Sequence, residues 1–458
     1  MFRKIQHIHL VGIGGAGMSG IAEVLLNLGY KVSGSDMNET EVVQRLRSAG
    51  GHITIGHSSS NIKGAQVVVI SSAVSPHNIE VVAARSSSIP VIQRAEMLAE
   101  LMRLKYGIAI AGAHGKTTTT SMISSVMASA GLDPTVVIGG KLNSLGSNAK
   151  LGQSEFLVAE ADESDGSFLK LSPTVAIVTN IDAEHLDYYH DIDNIRKTFL
   201  NFINKVPFYG VSILCADDAN IRSILYAVEK RYITYGINNR ADITVADIEM
   251  LSGKSRFRVL YKGMDMGKFE LSLPGMHNIS NALACIGVAV ELDINTDDVK
   301  KALRDFSGVE RRFQIVGRID AQDILVVDDY GHHPTEIKAT LAAAKAGWGR
   351  RTIVLFQPHR YTRTRDLMNE FAESFRNADV LLVTDIYPAG EQPVEGVSGK
   401  KLFDTIREHG HRNVWFVPDR KDIPDKARSL LMPGDMVITL GAGDIWKAGR
   451  EIIGMKES

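Results

Sequence analysis

Cysteine is almost absent from this chain, which has only Cys215 and Cys285 among its 458 residues. Two cysteines cannot form the set of disulfides that holds small secreted domains together, nor a metal site made of several thiolates. Stability must therefore come from buried apolar cores. The length allows for several cores, because about 150 residues per domain suggests roughly three domains.

Long apolar runs are missing as well. No stretch approaches the roughly 18 consecutive apolar residues that indicate a membrane-spanning helix. The first residues lead directly into a glycine-rich turn and lack the pattern of a secretory signal. We therefore expect a cytoplasmic protein that does not associate with a membrane.

Neither sign of charge is in large excess: 51 Lys and Arg stand against 53 Asp and Glu, a formal net charge of −2. Proteins that bind nucleic acid through their general field usually carry a surplus of basic residues. We expect no nucleic-acid partner, and local features must hold any anionic ligand.

Short β-branched runs alternate with helical patterns along most of the chain, which is typical of α/β folds with parallel sheets. The alternation is interrupted in residues 241–273, where Gly253 and Gly263 indicate hairpin turns. We predict an N-terminal Rossmann-like domain, a central domain like that of P-loop ATPases, and a C-terminal Rossmann-like domain. Their predicted ranges are 1–104, 105–309 and 310–458.

The first glycine-rich turn, G-I-G-G-A-G at residues 12–17, follows a predicted strand and opens a predicted helix. Asp36 lies nineteen residues beyond Gly17, as in dinucleotide-binding folds. Such a turn brings the backbone close to a diphosphate at a helix N-terminus. The pattern therefore fits NAD, a nucleotide sugar or a tight turn without a ligand.

A second turn, G-A-H-G-K-T-T at residues 112–118, resembles a phosphate-binding loop. It departs from the full pattern at Ile110, where a glycine is expected. The parts that contact phosphate and magnesium remain: Gly115 for close approach, the Lys116 cation and the Thr117 hydroxyl. We therefore predict a nucleotide triphosphate site here.

Acidic residues follow two predicted strands of the central block, in segments 160–165 and 180–187. The carboxyl ends of parallel strands meet at one edge of a sheet, where ligands bind. Glu160 and His185 are candidate metal ligands there, although a solvated acidic loop and a structural histidine are the alternatives. In the third block, segments 328–334 and 357–363 combine histidines, arginines and a tyrosine. These residue types suit a small carboxylate or phosphate ligand.

Taken in order, these segments resemble the Mur ligase family, whose members are ATP-dependent amino-acid ligases of cell-wall precursor synthesis. The resemblance spans nearly the whole chain and rests on segments 12–17, 112–118, 160–165, 180–187, 277–282, 311–313, 328–334 and 357–363. It implies ATP-dependent ligation of L-alanine to the carboxylate of UDP-N-acetylmuramate through an acyl phosphate. A relative that attaches a preformed murein tripeptide to the same nucleotide sugar shares much of the pattern.

The resemblance also implies a role for individual residues. The UDP-sugar would contact Gly14, Gly15, Ala16, Gly17 and Asp36, and Mg²⁺ would be held near Thr117, Glu160 and His185. ATP would be bound by Gly112, His114, Gly115, Lys116, Thr117, Thr118, His277, Asn278 and Arg312. Residues Tyr330, His332, Arg360 and Arg363 would frame L-alanine, and Lys116, His332, Arg360 and Arg363 would act in catalysis.

Two other functions fit the sequence less well. A nicotinamide-dependent oxidoreductase explains the first glycine turn but leaves the phosphate loop and the acidic segments without a role. A P-loop motor or binding module leaves the histidine-rich and arginine-rich loops of the third block unexplained.

Overall fold

The computed structural model describes residues 5–71, 73–138, 149–150 and 152–455. These residues form three β-sheets with intervening helices, which confirms the predicted α/β class. The chain divides into two compact units, of which the first comprises Met1–Asp247, Phe257–Phe269 and Ser280–Ser307. The second comprises Ile248–Arg256, Glu270–Ile279 and Gly308–Ser458. The domain boundaries near residues 104 and 310 stay a prediction.

The first sheet has five parallel strands in the order β3-β2-β1-β4-β5. The strands are β1 (His7–Val11), β2 (Lys31–Asp36), β3 (His52–Ile55), β4 (Val67–Ile70) and β5 (Val91–Gln93). The helices are α1 (Ala16–Asn27), α2 (Glu41–Ser48), α3 (Ile79–Ser86) and α4 (Arg94–Met102). The strand order reverses at β1, and ligands of such sheets bind at this switch point. The first glycine turn lies there.

The second sheet has ten strands in the order β15-β14-β13-β12-β11-β10-β6-β9-β7-β8. Its strands are β6 (Tyr106–Ala111), β7 (Thr135–Val137), β8 (Ala149–Lys150), β9 (Phe156–Glu160), β10 (Val175–Val178), β11 (Val211–Cys215), β12 (Tyr232–Tyr235), β13 (Ile243–Leu251), β14 (Lys254–Tyr261) and β15 (Met264–Leu271). The helices are α5 (Lys116–Ser129), α6 (Leu186–Tyr189), α7 (Ile192–Ile203), α8 (Ala219–Ile224), α9 (Met276–Glu291) and α10 (Thr296–Arg304). Two-residue turns containing Gly253 and Gly263 join β13, β14 and β15, which confirms the predicted hairpins.

The third sheet has six strands in the order β16-β17-β21-β18-β19-β20. They are β16 (Gln314–Ile319), β17 (Ile324–Asp329), β18 (Thr352–Phe356), β19 (Val380–Val383), β20 (Val414–Phe416) and β21 (Met436–Leu440). The helices are α11 (Pro334–Trp348), α12 (Tyr361–Asp366), α13 (Met368–Ala372), α14 (Gly399–Glu408), α15 (Ile423–Arg428) and α16 (Trp446–Ile452). Among the described pairings of this third sheet, only that of the edge strand β16 with β17 is antiparallel.

The central strands of these sheets are largely apolar, and all residues of β10 and β18 and all but Tyr106 of β6 are buried. Helices cover both faces of a parallel sheet, so its strands carry apolar side chains on both sides. The polar candidate residues lie in the loops that follow these strands. The candidate site is therefore at the carboxyl ends of the strands. Among the described residues, no helix combines the length and apolar character that a membrane crossing requires.

Candidate active site

The first glycine turn is held in place by β2. Ser35 O accepts the amides of Gly12 and Ile13 at 2.8 and 3.0 Å. Asp36 Oδ2 accepts the Gly14 amide at 2.8 Å, and its Oδ1 accepts the Asn38 amide at 3.2 Å. The carboxylate predicted to contact a nucleotide therefore stabilises the turn itself.

The turn leads directly into α1. Gly15 is the residue before the helix, and Ala16 and Gly17 are its first two residues. The first amides of a helix lack carbonyl partners within it, and such helix ends bind phosphate groups. The structure thus places Ala16 and Gly17 where a diphosphate would meet backbone N–H groups, while the Gly15 amide donates to Gly12 O at 3.2 Å.

The phosphate loop connects β6 to α5. Gly115 has φ +81° immediately before the helix, and a Cβ there would lie 2.6 Å from Asn281 Oδ1. Only glycine fits this position. Thr119 Oγ1 also donates to Asn281 Oδ1 at 3.2 Å. Asn281 therefore contacts the loop from α9, a role that the sequence analysis did not assign.

Asn180, which follows β10, braces the same loop from the other side. Its Oδ1 accepts the His114 amide at 2.8 Å, and its Nδ2 donates to His114 O at 2.9 Å. His114 Nε2 lies 3.0 Å from Asp182 Oδ2. Thr117 and buried Thr118 form the start of α5, next to Lys116. The loop is thus shaped before any ligand arrives.

Lys116 is held by acceptors of its own loop and by an acid. Its Nζ donates to Gly112 O at 2.5 Å, to Ala113 O at 3.2 Å and to Glu163 Oε1 at 2.8 Å. Burial lowers the pKa of Lys116, but the charge and hydrogen bond of Glu163 outweigh it, so the pKa lies above its ordinary value. Burial also raises the pKa of Glu163 to about 7 against the opposing charge of Lys116.

A group of metal-ligand side chains lies beside this ion pair. Strands β9 and β10 flank β6, so the acidic segments that follow them lie on either side of the phosphate loop, as predicted. One ligand atom each from Glu163, Glu184 and His185 lie within 4.8 Å of one another. Glu163 Oε2 is buried and has no hydrogen-bond partner in the part of the chain that the structure describes.

Carboxylate oxygens and an imidazole suit a divalent cation such as Mg²⁺ or Mn²⁺. The predicted ligand His185 belongs to this group. Glu163 and Glu184 were not predicted as metal ligands from the sequence. Both lie in the acidic segments, and their carboxylate side chains could have indicated this role. Glu160 ends β9 and Thr117 lies at the start of α5, on the same edge of the sheet.

In the second unit, Arg312 organises a group of polar side chains. Its Nη1 lies 3.3 Å from Glu336 Oε1, and its guanidinium lies 5.2 Å from the centre of the Tyr330 ring. Burial and the charge of Arg312 lower the pKa of His277 to about 4, so this histidine is neutral at physiological pH. Asn278 is buried and donates to Pro274 O at 2.7 Å.

The loops after β17 and β18 open on the same edge of the third sheet, since both strands run parallel to β21 between them. This confirms their predicted placement. A row of neighbouring rings starts in these loops. The ring centroids lie 5.2 Å apart for Tyr330 and His332, 5.8 Å for His332 and His359, and 5.6 Å for His359 and Tyr387, whose rings are stacked.

Histidine nitrogens in this row have distinct partners. His332 Nδ1 lies 3.1 Å from Tyr330 O, and because a carbonyl only accepts, Nδ1 carries the hydrogen. Arg363 Nη1 donates to His359 Nδ1 at 3.4 Å. Burial, followed by the charges of His332 and the arginines, lowers the pKa of His359 to about 3. No role was assigned to His359 from the sequence, although it lies in segment 357–363, directly before Arg360.

Arg360 and Arg363 flank the start of α12. Arg360 has φ +70° and ψ 138°, a conformation that non-glycine residues adopt at a cost. The Arg360 amide donates to Tyr387 O at 2.9 Å, and Thr364 Oγ1 donates to Arg360 O at 2.8 Å. These bonds hold the strained residue with its exposed side chain directed away from the core.

The predicted residues thus fall into two sets. The first unit holds Gly14, Gly15, Ala16, Gly17, Asp36, Gly112, His114, Gly115, Lys116, Thr117, Thr118, Glu160 and His185. The second unit holds His277, Asn278, Arg312, Tyr330, His332, Arg360 and Arg363.

Three family models match the chain in order. They are described as the Mur ligase family catalytic domain over residues 7–106, the Mur ligase middle domain over 110–289, and the Mur ligase glutamate ligase domain over 311–443. The candidate residues named above lie within these matched ranges.

Similar proteins match the chain along nearly its whole length. A protein of Geotalea daltonii named UDP-N-acetylmuramate--L-alanine ligase is 58% identical over 453 residues, covering 99% of this chain and 98% of the relative. A solved UDP-N-acetylmuramate-alanine ligase from Thermotoga maritima has a TM-score of 0.82 at 30% identity, covering 98% of each chain. A murein peptide ligase from Psychrobacter arcticus has a TM-score of 0.71 at 25% identity, also covering 98% of each. With this identity along its full length and all three domain models in order, the chain belongs to the Mur ligase family.

Proposed function

We propose that this protein joins L-alanine to the carboxylate of UDP-N-acetylmuramate at the expense of ATP, in peptidoglycan precursor biosynthesis. The observation that carries the proposal is the 58% identity, over 99% of the chain, to a relative named for this reaction. Because two of the three proposed substrates, ATP and UDP-N-acetylmuramate, are nucleotides, we place the reaction in the cytoplasm.

ATP binds at the phosphate loop in this proposal. Gly112, His114, Gly115, Thr117 and Thr118 supply the loop and the start of α5. The Lys116 ammonium contacts the β- and γ-phosphates, as lysines of phosphate loops do. His277 and Asn278 contact the adenine, and Arg312 also contacts the nucleotide. The neutral state of His277 fits contact with an uncharged base.

Magnesium ions are held by Thr117, Glu160 and His185 in this proposal. The grouping of Glu163 and Glu184 with His185 supports a cation at this place, because the donor set is rich in carboxylate oxygens. When bound, Mg²⁺ neutralises charge on the phosphate oxygens and orients them.

The nucleotide sugar binds at the first glycine turn in this proposal. Gly15, Ala16 and Gly17 offer the helix N-terminus to its diphosphate. Gly14 and Asp36 shape the turn through their hydrogen bond. The engagement of Asp36 with the backbone is one reason to prefer UDP here over NAD, whose ribose is held by the equivalent acid.

The chemistry proceeds in two steps. A carboxylate is a poor electrophile, so the γ-phosphoryl group first moves to the muramoyl carboxylate and forms an acyl phosphate. Lys116 balances the negative charge during this transfer. The amine of L-alanine then attacks the acyl carbon and expels phosphate.

L-Alanine lies among Tyr330, His332, Arg360 and Arg363 in this proposal. A guanidinium of Arg360 or Arg363 holds its carboxylate. In neutral His332 the hydrogen lies on Nδ1, which faces Tyr330 O, so Nε2 is the nitrogen that can accept a proton from the amine.

One assay tests the whole proposal. Phosphate release is measured with ATP, Mg²⁺ and UDP-N-acetylmuramate while L-alanine, glycine, L-serine or murein tripeptide is added in turn. We expect release that depends on L-alanine. Release that depends on the tripeptide but not on L-alanine would instead support the activity named for the Psychrobacter arcticus relative. A change in the absorbance of an added nicotinamide cofactor would support the oxidoreductase function instead.

A further inference from the structure

Arg94, the first residue of α4, lies between the first glycine turn and the acidic loop of the second sheet. A Cβ built on Gly17 would lie 2.6 Å from Arg94 Nη1 and 3.2 Å from its Cζ. On the other side, Arg94 Nη2 donates to Asp162 Oδ2 at 2.7 Å. One guanidinium therefore touches both the N-terminal end of α1 and the loop that carries Glu163.

This contact explains the third glycine of the turn. In dinucleotide-binding folds that glycine allows close packing of the helix on the strand. Here the three atoms nearest to the missing Gly17 side chain all belong to Arg94. Glycine at position 17 thus makes room for a guanidinium at the start of α1.

The electrostatics of this arrangement are unfavourable without an anion. The N-terminus of a helix carries partial positive charge, so a cation placed against it is repelled. Asp162 offsets part of this cost. Burial raises the pKa of Asp162, but hydrogen bonds from Ser164 and the charge of Arg94 outweigh it and hold the pKa below its ordinary value. An anionic ligand at the turn would interact favourably with both the helix end and Arg94.

We propose that Arg94 binds the diphosphate of the nucleotide sugar and, through Asp162, couples occupancy of that site to the ATP site. The inference rests on the proposed function and deepens it, since it names the cation that recognises the diphosphate. A guanidinium offers five N–H donors in a plane and suits phosphate oxygens better than an ammonium. Its Nη2 already holds Asp162, and its Nη1 edge lies toward the glycine turn.

The coupling follows from chain geometry. Asp162 is adjacent in sequence to Glu163, whose Oε1 lies 2.8 Å from Lys116 Nζ. A diphosphate on Arg94 weakens the attraction between Arg94 and Asp162. Asp162 is therefore held less tightly by Arg94 at a position next to Glu163, whose carboxylate competes with the ATP phosphates for Lys116.

Calorimetric binding of UDP-N-acetylmuramate and of uridine tests the first part. We expect Arg94→Ala to weaken UDP-N-acetylmuramate binding by at least about tenfold, because a charge-assisted phosphate contact is lost. Uridine lacks the diphosphate, so its affinity should stay unchanged. The affinity of Arg94→Lys for UDP-N-acetylmuramate should lie between those of wild type and Arg94→Ala. Arg103→Ala is the matched control, since this exposed residue at the end of α4 pairs only with Glu100 among the described contacts.

These measurements distinguish a failure of the proposed Arg94 contact from a failure of the proposed function. Equal loss of uridine and nucleotide-sugar binding in Arg94→Ala would show that Arg94 only supports the fold, and unchanged binding of both would show no contact with the diphosphate. A wild-type protein that does not bind UDP-N-acetylmuramate would instead overturn the proposed function itself.

The coupling is tested by repeating the titration with a saturating non-hydrolysable ATP analogue. We expect the analogue to change the wild-type dissociation constant for UDP-N-acetylmuramate by about threefold or more, within the usual range of coupling between sites. Asp162→Asn should abolish this change while it preserves binding of the nucleotide sugar alone. An identical analogue effect in wild type and Asp162→Asn would overturn the coupling.

Discussion

The ammonium of Lys116 lies 2.8 Å from the Glu163 carboxylate; the acid is buried and the lysine side chain is 18% exposed. The acid gives the lysine an anionic hydrogen-bond partner beside the carbonyls of Gly112 and Ala113. A nucleotide that binds the loop must therefore compete with Glu163 for Lys116. This relationship links the stability of the loop to the chemistry proposed for it.

Replacement of Lys116 by alanine should remove the cation that balances charge during phosphoryl transfer. We expect the rate of phosphate release to fall by about 10²-fold or more, the scale found when one charge-stabilising donor is lost. Binding of UDP-N-acetylmuramate, measured by calorimetry, should remain within about twofold of wild type. Loss of both properties together would point to misfolding.

Glu163→Gln should change how stability depends on pH. The pKa of Glu163 is raised to about 7 in the folded protein, so the folded state holds its proton more tightly than the unfolded state. The resulting stabilisation is complete below the ordinary carboxyl pKa and is lost as pH rises through about 7. Between pH 5 and 8, melting temperatures of wild type should therefore fall more steeply than those of Glu163→Gln. Parallel melting curves over that range would contradict this expectation.

Glu80 should show the opposite dependence. It is fully buried and accepts hydrogen bonds from Ser35, Asn61 and the Ser58 amide, with His9 Nε2 at 3.3 Å. Burial raises its pKa, but these partners outweigh burial and lower the pKa to about 2. Its stabilisation is present above the ordinary carboxyl pKa and is lost as pH falls toward 2.

Glu80→Gln should therefore destabilise the protein by about 2 kcal/mol at pH 7, the scale for a buried charged hydrogen-bond acceptor. Thermal unfolding of variant and wild type is compared from pH 7 to pH 3. The gap between their melting temperatures should narrow as pH falls, and a constant gap would argue against an ionised Glu80.

Glu336 should act as a positioning residue in the second unit. Its Oε1 lies 3.3 Å from Arg312 Nη1, and its Oε2 accepts the His332 amide at 3.0 Å. One carboxylate thus holds a proposed nucleotide contact and a proposed L-alanine contact. Glu336→Gln retains the side-chain shape but loses the charge.

Steady-state kinetics measure this effect. We expect Glu336→Gln to raise KM for ATP and for L-alanine by about tenfold, in addition to a lower melting temperature from the loss of a charged hydrogen-bond acceptor. Lys338→Gln, an exposed position on the same helix, is the control and should leave both KM values as in wild type. A variant that changes only the melting temperature would limit Glu336 to capping α11, where its Oε2 accepts the amide of the N-cap residue His333 at 3.3 Å.

Arg363→Lys should test recognition of the L-alanine carboxylate. Lysine keeps the charge but loses the planar pair of donors, and it loses the contact with His359 Nδ1. We expect KM for L-alanine to rise by about tenfold while KM for ATP stays constant. Arg365→Lys is the matched control on α12, since Arg365 pairs with Asp366 at 2.7 Å on the exposed surface. Equal effects of the two substitutions would contradict a specific role for Arg363.

Much of the fold follows from local pattern. Helix α5 (Lys116–Ser129) starts directly after the glycine turn, at the place where a phosphate loop leads into a helix. Strand β16 was not predicted from sequence. It is an antiparallel edge strand with partly exposed residues, and its alternation is too short and too polar to distinguish from a loop.

Residues that act through distant contacts could not be identified in the same way. Asn281 reaches Gly115 from a helix more than 160 positions along the chain, and Arg94 reaches Asp162 across 68 positions. Nothing in the local sequence around Arg94 distinguishes it from other polar helix residues. Asn281 lies in segment 277–282, which carries the family resemblance, but the local sequence does not show that it contacts the phosphate loop. Only the packing of α9 and α4 brings these side chains to the loops.

The sequence by itself determined the α/β class, the glycine turns, the cation of the phosphate loop and the strand ends that carry acids and histidines. These features depend on short-range backbone geometry and on the residue types that phosphate and metal chemistry require. The tertiary structure alone decided which of those groups meet. It paired Lys116 with Glu163, turned Asp36 onto the Gly14 amide and placed Arg94 over Gly17. Such pairings depend on sheet order and helix packing, which bring together residues far apart in the chain.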